Sequence, residues 1–506
     1  MTAFPTLRAS MRRHAEQRPA HPALVCQNRV LDYAGLDRYS DRLATTLLAA
    51  GAGDGGRVAH FARDSEHYYA LLVACAKAGA VLVPIDWRLT PSEVEHILTD
   101  STATLLFTDP AAQPVTVDID VVTLTDIGAW AESPAVPTDF PADDPERPLV
   151  QIYTSGTTGA PKGVVLAQRT FSAVAGLLAE HGLDWIDWRR DDRSLLGVPG
   201  FHVGGVWWAV QGLNAGVTNV VLPAFDSYTV VQLIRTLGIT TTCMVPAMLR
   251  MLVDEPGVTR ADFVSLRKVV YGGSPISDVL MCRCLDTFDC DLAQIYGLTE
   301  SGNTAVCLPP ADHKPGSPRL AAAGRPYPGI DIRIIDATGV AVSTGEIGQV
   351  CLHTPARMLE YWHQPAKTAQ TLVAGWVHTG DAGYLDADGY LYICDRITDT
   401  IIVAGENIYP AEVEKALCRH PAVADAAVVG APDDTWGESI NAFVVPRAGH
   451  DVTGPELSAF LRGGIAGFKV PTRYVFTTTL PRNPSGKILR RTLRDELWSG
   501  MRRNVN

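Results

Sequence analysis

Short hydrophobic runs alternate with longer mixed stretches between residues 23 and 109. This pattern predicts strands over 57–61, 81–84 and 104–107 and helices over 40–50, 67–78 and 93–100. The alternation returns further along the chain, where we predict helices over 230–237 and 246–252 and strands over 241–245 and 268–271. Alternating strands and helices are typical of an α/β fold with a mostly parallel sheet.

The pattern changes in the last third of the chain, where short strands and turns replace this rhythm. Residues 332–350 contain short predicted strands, and residues 384–392 predict a hairpin with Asp388 and Gly389 at its turn. Beyond them we predict helices over 410–418 and 455–461 and strands over 423–429 and 442–445. Because 506 residues exceed one ordinary core, we predict a domain boundary at 395–399 and a small C-terminal domain.

The composition is that of a globular protein, with 46% hydrophobic and 19% charged residues. A net charge of −12 argues against a nucleic-acid partner and favours a cytoplasmic protein. The longest apolar stretch, residues 69–84, is interrupted by Lys77, Gly79 and Pro84. A buried helix followed by a buried strand explains this stretch better than a transmembrane segment, and the N-terminus does not resemble a signal peptide.

The ten cysteines predict no disulfide framework and no zinc site. Three of them cluster in sequence without matching a zinc-ligand spacing: Cys282, Cys284 and Cys290. We expect ordinary reduced thiols, most of them in the core.

A loop rich in glycine and hydroxyl groups follows the predicted strand over 150–153. Its segment Ser155-Gly-Thr-Thr-Gly159 contains two glycines and three hydroxyl side chains, and Lys162 follows. Glycines let successive backbone N–H groups form a concave anion site, and the lysine adds a mobile cation. The Walker pattern is absent from this segment. A threonine-rich surface hairpin would have the same composition, so the loop alone indicates only that an anion can bind.

Five further motifs follow this loop, which runs in full from Thr154 to Gly163 as TSGTTGAPKG. They are Phe201-His-Val-Gly-Gly205, Tyr271-Gly-Gly-Ser-Pro275, Gln294-Ile-Tyr-Gly-Leu-Thr-Glu300, Trp376-Val-His-Thr-Gly-Asp381 with Asp395-Arg396, and Pro481-Arg-Asn-Pro-Ser-Gly-Lys487. In this order, and over nearly the whole chain, they resemble the motifs of the adenylate-forming superfamily. That group contains acyl-CoA and aryl-CoA synthetases, peptide-synthetase adenylation domains and luciferases; the resemblance points to a free-standing acyl-CoA ligase.

The resemblance implies a two-step reaction that uses ATP, Mg²⁺ and coenzyme A. A carboxylic acid attacks the α-phosphate of ATP to give an acyl-adenylate and pyrophosphate, and a thiol then displaces AMP. It also implies the domain arrangement. Residues 1–395 would form an N-terminal α/β domain with parallel-rich sheets layered with helices and a β-rich subdomain, and residues 396–399 a hinge. Residues 400–506 would form a small mobile α+β domain that carries the catalytic lysine.

Roles for individual residues follow from the same resemblance. Lys487 would bridge the carboxylate and the α-phosphate, Thr299 would donate to the α-phosphate, and Glu300 would hold Mg²⁺. His202 would gate the acid pocket or orient the carboxylate. Further nucleotide contacts are expected from Thr154, Ser155, Gly156, Thr157, Thr158, Gly159, Lys162, Gly273, Ser274, Pro275, Tyr296, Gly297, Asp381 and Arg396.

Without the resemblance, the same residue types have ordinary explanations. A lysine in a loop of proline and glycine, such as Lys487, is usually solvated. Thr299 and Glu300 would also suit the start of a helix, and Asp381 would suit a turn. A single histidine in an apolar stretch, such as His202, is more often structural.

The acid is expected to be hydrophobic. The pocket motif offers Phe201, Val203, Gly204 and Trp207 but no acidic side chain to bind an amino group, so an α-amino acid is not expected. Residues 206–210 would serve equally well as pocket lining or as the core of the next helix. Fatty, aryl and polycyclic acids all stay open. No segment with a serine for phosphopantetheine is evident, so we expect CoA as the acceptor, with a separate carrier protein as the alternative.

Two positions near the hinge depart from the superfamily pattern. Thr398 stands where Asp or Lys is typical, and Ala404 stands where a glycine usually lines the path of pantetheine, beside Gly405 and Glu406. A methyl group in a narrow tunnel can clash or exclude a positive φ, unless a neighbouring shift absorbs it. The departures motivate the hypothesis that the two half-reactions have unequal efficiency. A catalytically weak acyl-adenylate-binding protein is a further alternative, and we expect a monomer or homodimer.

Overall fold

The computed structural model describes residues 6–110, 116–132, 139–154, 161–274, 276–403, 406–433, 436–482 and 488–497. Within these ranges, parallel-rich sheets are layered with helices, and a smaller α+β part follows. The predicted fold class is therefore confirmed.

The strands, numbered in chain order, are β1 (Pro22–Cys26), β2 (Arg29–Asp32), β3 (Arg57–Phe61), β4 (Val81–Ile85), β5 (Leu105–Thr108), β6 (Asp120–Thr123), β7 (Pro148–Thr154), β8 (Lys162–Ala167), β9 (Arg193–Leu196), β10 (Thr218–Val221), β11 (Thr241–Met244), β12 (Lys268–Gly272), β13 (Asp291–Tyr296), β14 (Val306–Leu308), β15 (Arg325–Pro326), β16 (Asp331–Ile335), β17 (Gly348–His353), β18 (Glu360–Tyr361), β19 (Leu372–Val373), β20 (Trp376–Leu385), β21 (Leu391–Arg396), β22 (Ile401–Val403), β23 (Glu406–Ile408), β24 (Val423–Asp433), β25 (Gly437–Pro446) and β26 (Arg473–Phe476).

The α-helices are α1 (Leu7–Gln17), α2 (Tyr33–Ala49), α3 (Glu66–Ala78), α4 (Pro91–Ser101), α5 (Ile127–Ala131), α6 (Ala173–Glu180), α7 (Val203–Ala215), α8 (Ser227–Leu237), α9 (Pro246–Val253), α10 (Asp278–Phe288), α11 (Pro365–Thr371), α12 (Pro410–Leu417), α13 (Gly454–Arg462) and α14 (Arg490–Leu497).

The largest sheet has nine strands in the order β15-β14-β13-β12-β11-β9-β10-β1-β2. Its six central strands, from β13 to β1, run parallel, and the strands at both edges are antiparallel. Helices α8, α9 and α10 bury their apolar sides against it, with Ile234, Leu249 and Phe288 in the shared core. Parallel strands that are covered by helices read as continuous apolar runs, which is why this region was recognisable in the sequence.

The second sheet has seven strands in the order β18-β8-β7-β4-β3-β5-β6. Helix α3 and strand β4 are buried along almost their whole length, as predicted for residues 69–84. The charge inside this stretch is compensated, because Lys77 pairs with Asp37 at 2.6 Å and with Asp41 at 2.7 Å. A buried lysine needs such partners to stay charged.

Two smaller sheets complete the described chain. One follows the order β16-β17-β20-β19, with β21 paired to β20, and the other follows β23-β22-β25-β24, with β26 paired to β25. The predicted hairpin is confirmed, because Leu385 and Leu391 face each other and Gly389 occupies the turn with φ +77°.

The chain divides into two compact units. The first unit consists of Met1–Ile332 and Cys351–Thr379, and the second of Arg333–Val350 and Gly380–Asn506. The hinge predicted at 396–399 falls inside the second unit and stays a prediction.

Helix α2 starts at Tyr33, earlier than the predicted residue 40. The reason is a cap that the pattern did not reveal: the Asp32 carboxylate accepts the backbone N–H of Gly35 at 2.6 Å. All ten cysteines carry free thiols. Among the described residues, no helix is long and apolar enough to cross a membrane.

Candidate active site

Three of the sequence motifs lie at one edge of the nine-stranded sheet. Strands β9, β11, β12 and β13 are parallel neighbours, in which Leu196 faces Cys243 and Gly272 faces Ile295. The predicted acid-pocket motif comes after β9, the predicted adenine motif begins at the end of β12, and the motif that ends at Glu300 begins at the end of β13. Ligands bind at the carboxyl ends of parallel strands, so the topology brings the predicted acid and nucleotide segments together.

Close backbone packing shapes the segment after β13. A side chain at Gly297 would lie 2.6 Å from the carbonyl oxygen of Asn303 and 2.9 Å from the Ser301 hydroxyl. Only glycine fits there, and the turn that follows places Thr299 and Glu300 in a short 3₁₀-helix. Tyr296 ends β13, and Gly273 and Ser274 follow β12 beside it, with Gly273 at φ +84°.

A cation, an aromatic ring and a carboxylate form a cluster beside the hydroxyl-rich loop. Thr154 and Lys162 face each other on β7 and β8, on either side of the loop. The Lys162 ammonium lies 4.5 Å from the ring centre of Tyr361, and the Tyr361 hydroxyl donates to Glu300 Oε1 at 2.6 Å. The cluster thus joins two residues that the sequence predicted for polyphosphate and metal binding.

Tyr361 was missed by the sequence analysis. It lies on the two-residue strand β18, which pairs with β8 through Tyr361 and Val164. Nothing local marks such a short strand, and its position depends on a partner far away in the chain.

The carboxylate of Glu300 suits Mg²⁺ better than a metal ion that needs several protein ligands. Among the described residues, no group of three or more His, Cys, Asp or Glu side chains could hold a metal ion. Mg²⁺ is usually bound by one or two carboxylates together with substrate phosphates and water. A single glutamate next to a lysine that can contact phosphate suits that mode of binding.

His202 occupies the N-cap of α7 and is neutral at physiological pH. Burial lowers the pKa of His202 to about 4; the Asp86 carboxylate raises this pKa and the Arg88 guanidinium lowers it, each by less than burial does. Its Nε2 is buried and has no hydrogen-bond partner among the described residues. The neighbouring Phe201 ring lies 4.7 Å from the imidazole, and the Arg88 guanidinium lies 5.2 Å from the Phe201 ring.

The first turns of α7 contain the other residues predicted for the acid pocket. Val203 starts the helix, and Gly204 faces Asn303, whose Oδ1 would lie 3.4 Å from a side chain at that position. The Asn303 amide nitrogen is buried without a partner in the described chain, and sequence reasoning did not single it out. Trp207 and Trp208 are both fully buried, so these residues do belong to a core; contact of Trp207 with the acid stays a prediction.

In the second unit, Asp381 and Arg396 are directly paired. They face each other on β20 and β21, and Arg396 Nε lies 2.7 Å from Asp381 Oδ1. Asp381 is buried. Thr398 lies in a 3₁₀-turn and its carbonyl accepts from Arg494 at 3.3 Å, and Glu406 is exposed at the start of β23.

Several predicted site residues lie outside the described residues. They are Ser155, Gly156, Thr157, Thr158, Gly159, Pro275, Ala404, Gly405 and Lys487. Their roles stay predictions.

Comparison with known proteins agrees with this geometry. The family model described as AMP-binding enzyme matches residues 11–362, and that of the AMP-binding enzyme C-terminal domain matches residues 412–487. A fatty acid–[acyl-carrier-protein] ligase, ScoC of Streptomyces coeruleorubidus, is 55% identical over 97% of this chain and 96% of its own. A feruloyl-CoA synthase of Amycolatopsis is 36% identical over 97% and 98%.

Solved structures show the same architecture. One of them is the o-succinylbenzoate CoA synthetase MenE of Bacillus subtilis in complex with its acyl-adenylate intermediate. It superposes with a TM-score of 0.86 at 29% sequence identity, and the alignment covers 98% of this chain and 99% of the MenE chain.

Proposed function

Because this chain belongs to the adenylate-forming superfamily of AMP-binding ligases, we propose that it activates a fatty acid with ATP and transfers the acyl group to an acyl carrier protein. The family activity itself is an ATP-dependent, AMP-forming ligation of an acid to a thiol. The observation that carries the finer proposal is the 55% identity to a fatty acid–[acyl-carrier-protein] ligase across nearly the whole of both chains.

The charges of the described first unit, together with the lysine predicted at 487, suit the first half-reaction. A carboxylate and a triphosphate repel each other, so their meeting requires compensating cations. Lys162 supplies one beside the loop, and Lys487 would supply another at the α-phosphate. Mg²⁺ held by Glu300 would neutralise charge on the phosphate oxygens. Tyr361 restrains the Glu300 carboxylate through the 2.6 Å hydrogen bond.

The neutral state of His202 suits orientation of the acid. With its pKa lowered to about 4 by burial, the imidazole adds no charge at neutral pH. It can donate one hydrogen bond to the carboxylate and leave the reacting oxygen free. Its unpartnered Nε2 is the atom available for this bond, so His202 would orient the acid without neutralising it.

The surroundings of His202 support an acid without an amino group. Residues 201–208 contain no acidic side chain, and α7 continues with the buried side chains of Val206, Trp207 and Trp208. The Asp86 carboxylate, which acts on His202, is already paired with Arg88 at 2.8 Å. An ammonium group there would have no carboxylate of its own, and burying a charge without a partner is strongly unfavourable. A hydrophobic acyl chain needs no such partner.

Coenzyme A is the second candidate acceptor. It is favoured by the likeness to a feruloyl-CoA synthase over 97% of this chain. Both acceptors end in a thiol, so the adenylation residues do not distinguish between them.

The test separates the acid from the acceptor. AMP release is measured with a series of saturated fatty acids and with ferulic and indoleacetic acids, first with CoA and then with a holo acyl carrier protein. We expect turnover with fatty acids and a mass increase of the carrier protein that matches the acyl group. Turnover that proceeds with CoA and leaves the carrier protein unmodified would overturn the proposed acceptor, and exclusive use of aryl acids would overturn the proposed acid.

The departures at Thr398 and Ala404 concern the balance between the two half-reactions, and which half they affect stays a hypothesis. Pyrophosphate exchange measures adenylation alone, and capture of a supplied acyl-adenylate measures thioester formation alone. Ala404→Gly should raise the second rate relative to the first if the methyl group obstructs pantetheine. Equal rates of the two half-reactions, in the wild type and in Ala404→Gly alike, would refute this hypothesis.

A further inference from the structure

A buried carboxylate that none of the motifs includes contacts the segment that carries His202. Asp64 lies between β3 and α3, and its side chain is 5% exposed. Its Oδ2 accepts the backbone N–H of Gly200 at 2.8 Å and the hydroxyl of Tyr69 at 3.0 Å. The bond to Gly200 joins segments 136 residues apart, so it fixes tertiary structure.

The N–H and the C=O of Gly200 are both hydrogen-bonded to side chains of residues 64–68. The Tyr68 hydroxyl donates to the Gly200 carbonyl at 2.6 Å. A side chain at Gly200 would lie 2.4 Å from Cε1 of Tyr68, so the close approach of the tyrosine requires glycine. Because the glycine is held at its N–H and its C=O, it cannot rotate without breaking a buried hydrogen bond.

Gly200 lies inside the turn that leads to the acid site. The backbone N–H of His202 donates to the carbonyl of Pro199 at 3.1 Å, which closes a four-residue turn with Gly200 and Phe201 at its centre. Helix α7 starts at the next residue, Val203. A displacement of Gly200 would therefore displace both Phe201 and His202.

We propose that Asp64 is a positioning residue for acid binding: its carboxylate holds the Gly200 N–H from inside the core and thereby fixes the turn that presents Phe201 and His202. This inference rests on the proposed activation of an acid. Asp64 acts through the turn and does not itself contact the acid.

The ionisation of Asp64 provides a way to observe this role. Burial raises the pKa of Asp64 to about 7, against the lowering effect of the hydrogen bonds from Gly200 and Tyr69. A carboxylate accepts a hydrogen bond about twice as strongly as a neutral group. The turn is therefore held more firmly when Asp64 is ionised, at pH values above about 7.

The groups around Asp64 do not titrate in the same range. Burial raises the pKa values of Tyr68, Tyr69, Cys26 and Cys75 above their usual values and lowers those of His60 to about 3 and His202 to about 4. Of the charged neighbours in sequence, Arg63 lies 4.6 Å from the Trp87 ring and Glu66 pairs with Arg29 at 2.6 Å. Burial also lowers the pKa of His67, whose hydrogen bond is to Tyr39 at 3.0 Å. Asp64 is thus the group bonded to Gly200 whose charge changes near neutral pH.

The test compares pH profiles of kcat/KM for an accepted fatty acid. In the wild type we expect kcat/KM to rise by about threefold between pH 6 and pH 8. The limiting values at lower and higher pH should differ by about fivefold, the ratio expected between a charged and a neutral hydrogen bond. Asp64→Asn keeps the size and an acceptor oxygen but cannot ionise, so its profile should be flat at about the acidic value of the wild type. KM for ATP should be the same in both proteins.

Two tyrosine variants separate positioning from general damage. Tyr69→Phe removes a donor that lowers the pKa of Asp64, so the midpoint of the profile should move to higher pH. Tyr68→Phe frees the Gly200 carbonyl and should lower kcat/KM for the acid while the midpoint stays in place. Parallel profiles for the wild type and Asp64→Asn, or an unmoved midpoint in Tyr69→Phe, would overturn the proposal.

Hydrogen–deuterium exchange of the peptide over 199–202 tests the contact independently of turnover. The prediction concerns local opening of the turn, which breaks the bond to Gly200 and leaves Asp64 in the core, and not unfolding of the chain, which ionised Asp64 favours. At pH 8 this local opening should make Asp64→Asn exchange about fivefold faster there than the wild type, and exchange at equal rates would overturn the inference. If the wild type shows the expected exchange but turns over no acid, the proposed function is refuted, whereas the contact between Asp64 and Gly200 still stands.

Discussion

Replacing Arg490 should loosen the second unit much more than replacing its neighbour Arg491. The Arg490 guanidinium is 12% exposed and lies 2.7 Å from Glu414 and 3.5 Å from Asp395 and Asp399. Asp395 also accepts the N–H of Ala411 at 2.7 Å. Arg490→Met keeps the apolar stem of the side chain and removes only its charge and hydrogen bonds.

The expected magnitude follows from the burial of the carboxylates that remain. Asp395 is 4% exposed and Glu414 12% exposed, so both would lie in the core without a cation. Breaking a buried pair from one side costs roughly 3–5 kcal/mol. Arg491 is 65% exposed and pairs with an exposed Asp495, and the loss of such a pair costs roughly 0–1 kcal/mol. Both sites lie in the first turn of α14, so Arg491→Met is a matched control.

Hydrogen–deuterium exchange of β24 measures this difference without requiring the whole chain to unfold in one step. The N–H of Val428 on this strand donates to Glu414 at 2.7 Å. A loss of about 4 kcal/mol corresponds to roughly thousandfold faster exchange when exchange is limited by opening. Arg491→Met should change the rate less than about fivefold.

The pH dependence gives a second signature of the same cause. Burial raises the pKa values of Asp395 and Glu414, and Arg490 lowers them, so the variant should have still higher values. A carboxyl with a raised pKa in the folded state binds a proton that the unfolded chain has released, and stability then increases as pH falls. The difference between variant and wild type should therefore shrink toward pH 5. Equal exchange in the two arginine variants, or a difference that grows on acidification, would refute this reasoning.

Four other substitutions have expected outcomes. Glu300→Gln should lower kcat/KM for ATP by about 10²–10³ in pyrophosphate exchange and raise the Mg²⁺ concentration needed, whereas loss of the bond from Tyr361 in Tyr361→Phe should cost only about fivefold. Asp381→Asn should raise KM for ATP by about 10–100-fold if its carboxylate accepts from ribose, and an unchanged KM would contradict that role. Burial raises the pKa of Asp64 from its usual 3.8 to about 7. The contribution of this carboxyl group to the free energy of unfolding should therefore fall by roughly 4 kcal/mol between pH 4 and pH 8. The melting temperatures of the wild type and Asp64→Asn should converge at low pH and separate at high pH.

The sequence was sufficient for features that depend on local pattern. The strand β4 and the helix α3 follow from an apolar run, and the hairpin at Gly389 follows from its turn residues. The motif residues after β9, β12 and β13 could be placed because parallel strands that alternate with helices end at one edge.

Features that depend on distant contacts were not predictable in this way. Asp64 stands in Arg63-Asp64-Ser65, which looks like an exposed polar turn, and only the approach of Gly200 makes it a buried acceptor. Tyr361 was missed because its strand has two residues and takes its position from β8. The early start of α2 was missed because one side-chain cap, at Asp32, outweighed the pattern.

The arrangement of one motif per strand end has an evolutionary consequence. The segment predicted to orient the acid leaves β9, and the segments predicted for adenine and phosphate leave β12 and β13. Mutations can therefore accumulate around Phe201 and α7 while selection keeps the nucleotide segments unchanged. A lineage that starts from such a scaffold can diversify the acids it accepts by small steps, each of which passes through an enzyme that still uses ATP.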